Sequence, residues 1–70
     1  MQYTLVNDGI VKATLYNLHG QELDVVLNEN QTFGLHSVRA DLPQDLQAGI
    51  YIVKLSINGI PYSERMLIKQ

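Results

Sequence analysis

Apolar and polar residues alternate at every second position through most of this chain, and each alternating run closes on turn-forming residues. A side-chain period of two marks a strand with one buried face, whereas a helix needs a period near 3.6. Tyr3 and Leu5 alternate with polar neighbours until Asn7-Asp8-Gly9 breaks the run. Val11, Ala13 and Leu15 alternate with Lys12, Thr14 and Tyr16, and Asn17-Leu18-His19-Gly20 then reads as a tight turn with Gly20 free to take positive φ. Leu23, Val25, Val26 and Leu27 make a third run, and residues 28–34 read as a polar connection containing Phe33. His36, Val38 and Ala40 alternate with Leu35, Ser37 and Arg39, followed by a longer connection over residues 41–49. The strongest strand pattern covers residues 50–57, Asn58-Gly59 is a hairpin signal, and residues 63–69 form the last run.

No stretch of useful length keeps a helical period; a single turn over residues 43–47, opened by Pro43 and ended by Gly49, is the most that is expected. Turn signals recurring at the spacing of a sandwich predict an all-β fold: a small immunoglobulin-like antiparallel β-sandwich of about six to seven strands. With 70 residues the chain makes one domain, residues 1–70, with a thin core. No cysteine is present, so no disulfide assists. Five basic and seven acidic residues are spread along the sequence, which argues against a nucleic-acid footprint. The longest apolar run, Ile50 to Val53, is far short of the roughly 20 residues that span a bilayer. The first residues lack the charged-then-apolar order of a signal peptide, so any address would have been removed or would lie elsewhere in a longer parent.

The last two runs pose a register problem. A two-residue Asn58-Gly59 loop sets Ile57 opposite Ile60 and, continued regularly, Val53 opposite Glu64 and Ile52 opposite Arg65. Sliding by one residue sets Lys54 opposite Glu64, Ile52 opposite Met66 and Tyr51 opposite Leu67, which is better cross-strand chemistry. That register demands an irregularity between Ile60 and Ser63, beside Pro61, which cannot donate to a ladder.

The sequence offers little for catalysis. His19 falls in a turn and His36 on a face shared with Val38 and Ala40, so exposure and half-buried packing are their expected fates. No His or Cys spacing suits zinc, no acidic loop suits calcium, and the glycines occur singly. Asp41 and Asp45 flank one loop, but paired acids need a substrate cleft that so small a sandwich has little room for. A sugar-stacking platform is also missing: there is no Trp, and Tyr3, Tyr16 and Tyr51 fall in strands, leaving Tyr62 as the aromatic expected at the surface. The residues alone read as a non-catalytic β domain without a cofactor.

As a set, the segments YTL, DGIVKATLYNLHGQEL, GLHSVRADLPQDLQAGIYIVKL and ERMLIKQ resemble the type A C-terminal sorting domain of type IX (Por) secretion cargo. The pattern is similar, too, to the related immunoglobulin-like domain of flagellar hook-capping proteins. The matching features are Leu15-Tyr16-Asn17 through Gly20; then Gly34, His36, Val38 and Asp41; then Leu46, Gly49 and Tyr51; and a closing basic–apolar run from Arg65 to Lys69. Members of that family usually begin with a Pro-Asn-Pro segment and a first strand, for which this chain has no counterpart before Tyr3.

The resemblance implies a folded signal at the tail of a larger secreted protein. It directs covalently linked N-terminal cargo through the periplasm and the type IX outer-membrane translocon to the cell surface or medium. The partners implied are the translocon and its sorting machinery, with Gly49, Tyr51, Lys54, Arg65 and Lys69 as candidate recognition residues. The absent first strand implies an open sheet edge suited to dimer pairing. The alternative is an immunoglobulin-like spacer or protein-interaction module of an extracellular protein; no nucleic acid, membrane span or metal is expected in either case.

Overall fold

Strand after strand, the alternation of the sequence becomes an inside and an outside. The computed structural model describes residues 2–39 and 42–70. Along it run β1 (Gln2–Leu5), β2 (Gly9–Asn17), β3 (Glu22–Gln31), β4 (Gly34–Ser37), β5 (Gly49–Ile57) and β6 (Ile60–Lys69). All pairings are antiparallel, and the strands make two sheets, β1-β4 and β3-β2-β5-β6. The described residues are all-β and make a small antiparallel β-sandwich of six strands.

The two sheets share one ribbon. β2 pairs with β3 from Tyr16↔Glu22 out to Gly9↔Gln31, and the same two chain segments pair again as β1 with β4, from Leu5↔Gly34 to Gln2↔Ser37. Between these ladders, at residues 6–8 and 32–33, the ribbon folds over. Tyr3 and Leu5 from one arm thereby join Val11, Ala13 and Leu15 from the other in a single buried cluster. β5 pairs along the free side of β2, from Val11↔Ile57 to Asn17↔Tyr51, and adds Tyr51, Val53 and Leu55 to that cluster.

Side chains pin the fold-over point. The Asp8 carboxylate accepts the Phe33 amide at 2.7 Å. Asn58, from the β5–β6 turn, donates its own amide to the Ile10 carbonyl at 2.8 Å and accepts the Ile10 amide on Oδ1 at 2.9 Å. At the far end Asn17 organises the β2–β3 turn. Its Oδ1 accepts the amides of His19 and Gln21 at 2.9 and 3.0 Å, and its Nδ2 donates to Gln21 Oε1 at 2.8 Å. Gly20 takes φ 82° there, as the turn requires.

Two expectations are corrected. The stretch read as a polar connection, residues 28–34, is strand as far as Gln31, because Asn28 to Gln31 pair with Lys12 to Gly9. β3 lies at the sheet edge, so its outer half needs backbone partners but no apolar face. The alternation through His36 and Val38 yields only a four-residue strand that stops at Ser37, although Val38 stays buried beyond it. Ala40 and Asp41, which belonged to that reading, lie outside the described residues. The turn expected over residues 43–47 is present as one Leu46 N–H to Pro43 carbonyl bond at 3.3 Å; Leu42 and Leu46 on either side pack against the core.

Candidate functional site

The β5–β6 hairpin carries the candidate residues, and its register decides which face each takes. Asn58 and Gly59, at φ 53° and 80°, form a two-residue turn with both central residues left-handed, which suits the twist of a hairpin. Ile57 faces Ile60 and Ser56 faces Pro61, after which Leu55 faces Ser63. Tyr62 is therefore an extra, bulged residue, at the position where the sequence demanded an irregularity. The bulge brings Lys54 opposite Glu64, Ile52 opposite Met66 and Tyr51 opposite Leu67.

Gly49, Tyr51 and Val53 then share the inward face with their partners Lys69, Leu67 and Arg65. Tyr51 itself is a core residue, 8% exposed, and its hydroxyl donates to the Gln47 carbonyl at 2.6 Å. It fixes the path into β5 and offers little surface. Cover of this inward row thins from β5 to β6: Val53 and Leu55 are fully buried and Leu67 is half-buried against the core, whereas Arg65 and Ser63, opposite Val53 and Leu55, are exposed. Lys69 is half-buried at the end of the same row.

Lys54 stands apart from the other four. It lies on the outward face, with Nζ 4.9 Å from the centre of the Tyr16 ring and Glu64 as its cross-strand neighbour. Cation–π contact at such an exposed site contributes about 0.5–1 kcal/mol. The same face carries Met66 and Ile68, 62% and 67% exposed. The candidate residues thus form a row of Gly49, Arg65 and Lys69 flanking buried Tyr51, with Lys54 on the reverse.

A groove of about 500 Å³ lies beside the hairpin turn, lined among others by Leu5, Val6, Ile57, Ile60, Pro61 and Tyr62. Tyr62 is 52% exposed there, as its place beside Pro61 suggested. The groove was not foreseen, because it needs β1 folded next to the start of β6, and no local pattern announces that. A second open hollow of about 420 Å³ at the opposite end includes His19, Asp45 and Tyr51. His19 is exposed, and no cluster of three or more His, Cys, Asp or Glu forms among the described residues. No described helix is long and apolar enough to cross a membrane.

His36 packs as expected. Its ring stacks on Tyr3 at 5.7 Å between centroids, and Nε2 lies 2.6 Å from the Thr32 carbonyl. Tyr3 in turn donates its hydroxyl to Gln31 Oε1. Burial pushes the Tyr3 phenol above its usual pKa of 10.0; the Gln31 bond opposes this, and nearby Glu29 adds to it. No buried side-chain polar atom among the described residues lacks a partner. This polar belt therefore reads as structural.

Family models, curated proteins and solved structures give no match to this chain.

Proposed function

We propose that this domain is a non-catalytic sorting signal of the type IX kind, read by an outer-membrane translocon and carrying a larger cargo to the cell surface or medium. Support comes from the segments that resemble such domains and from the sandwich fold that the resemblance implied. The observation that carries the reading is the hairpin edge. β6 is ten residues long, has β5 on one side only, and carries exposed Arg65 and half-buried Lys69 on either side of Leu67. A recognition signal held in a fold needs a rigid element with unsatisfied backbone and distinctive side chains, and an exposed strand edge supplies both.

The test is a fusion of residues 1–70 behind a reporter protein in a bacterium possessing this secretion pathway. Export of the reporter, lost on deleting residues 65–70, is the expected outcome. Retention of the intact fusion, with the upstream segment of its parent restored, would overturn the proposal.

A second reading, an interaction or spacer module of an extracellular protein, is favoured by the apolar groove at Val6, Ile60 and Tyr62. On that reading the fusion stays inside the cell, and substitutions in the groove abolish binding to a neighbouring domain of the parent.

A further inference from the structure

We infer that the β6 edge accepts an extended strand whose residues alternate, acidic and apolar on one face and apolar on the other. This rests on the reading of the hairpin as a docking edge and names the chemistry of what docks. Three observations carry it.

The first is regularity. β3, the opposite edge of the same sheet, is broken by register shifts at Ala13/Thr14 and Leu15/Tyr16 of its ladder with β2. Bulged edges resist addition of a further strand. β6 has its one irregularity at Tyr62, so residues 63–69 run without interruption. Seven residues extend about 23 Å, enough for a full ladder.

The second is charge. Arg65 and Lys69 lie on the inward face with Leu67 between them, and neither side chain has an ion-pair or hydrogen-bond partner among the described residues. Glu64, the acid next to them in sequence, is on the other face opposite Lys54. An incoming strand with carboxylates opposite Arg65 and Lys69 and an apolar residue opposite Leu67 matches this row. On the outward face, apolar residues match Met66 and Ile68, both well exposed.

The third is the mismatch of a second copy. Two β6 strands pairing antiparallel about a two-fold axis place the residue on the axis opposite itself. An axis at Glu64 or Arg65 opposes like charges directly. An axis at Met66 sets Glu64 against Ile68 and Arg65 against Leu67. An axis at Leu67 sets Arg65 against Lys69. An axis at Ile68 sets Leu67 against Lys69. Each of these arrangements opposes like charges or sets a charged side chain against an apolar one, so a foreign strand is the better occupant.

The experiment titrates isotope-labelled chain, residues 1–70, with a short synthetic peptide containing Asp-Val-Leu-Val-Asp-Thr. Two controls are a scrambled peptide of the same composition and one with both Asp replaced by Lys. Protection of alternate β6 amides from hydrogen exchange by the first peptide alone is expected. In the double variant Arg65→Glu, Lys69→Glu, the preference between Asp and Lys peptides should invert, each shift being about tenfold. Because inversion is a gain for the Lys peptide, it cannot be mimicked by unfolding. Equal binding of the scrambled peptide, protection confined to Val6, Ile60 and Tyr62, or self-association through β6 would overturn the inference. Export of the fusion without any peptide binding would sink this inference alone; peptide binding without export would leave it standing and remove the sorting role.

Discussion

Two asparagines do much of the local work, and they do it differently. Asn17 saturates its own turn, whereas Asn58 reaches across the molecule to Ile10 while holding a left-handed backbone. These two duties of Asn58 can be separated. Asn58→Gly keeps the backbone conformation and loses the side-chain bond, and should cost about 1 kcal/mol. Asn58→Ala also carries the steric penalty of left-handed φ, and should cost about 1–2 kcal/mol more. Urea denaturation of the two variants measures the difference. Gly9→Ala should behave like Asn58→Gly or worse, since an added Cβ would sit 2.8 Å from the Asn58 amide nitrogen. At Tyr3 the folded state favours the neutral phenol. Its contribution to stability is full below the unfolded pKa near 10 and is lost as pH rises from there through the higher folded value. Thermal melts should show a steeper alkaline loss for the wild type than for Tyr3→Phe.

Among the elements, the bulge at Tyr62 is what reconciles a two-residue turn with a charge-matched ladder. Deleting Tyr62 should leave the fold and the Lys54–Glu64 neighbour pair intact, because the pairs on either side of it are already aligned. Inserting one alanine after Tyr62 should instead turn Leu67 and Lys69 to the outward face and lower stability sharply. Nuclear Overhauser contacts between β5 and β6 decide both cases. This hairpin was legible in the sequence because its turn, proline and charges are local signals. The outer half of β3 was not, since an edge strand needs only backbone pairing and Asn28 to Gln31 carry no apolar face. The short β4 was overestimated for the converse reason: Val38 is buried without belonging to a ladder. Of the candidate residues, the pairing of Lys69 with Gly49 and of Arg65 with Val53 followed from the register that the sequence preferred. The grouping of β1 with the start of β6 around a groove did not, because it depends on where a ribbon folds over.

For the molecule as a whole, a small core leaves little margin. A chain this size has a total stability of about 4–10 kcal/mol. Leu15 and Leu55 are among the largest fully buried side chains, and truncating either to alanine removes about 2–5 kcal/mol. Leu15→Ala should therefore lower the urea midpoint by a large fraction, and Ile68→Ala, on an open surface, should barely move it. The folded-over ribbon also has a kinetic corollary. Its β2–β3 half can zip outward from the Asn17 turn, and β5–β6 can close about Asn58-Gly59, each with short chain closure. Joining β2 to β5 instead brings together segments separated by more than thirty residues, at the full entropic cost of that span. Assembly of the two preformed hairpins should accordingly limit the folding rate, with substitutions along the β2–β5 seam slowing folding and those at the Asn17 turn changing it least.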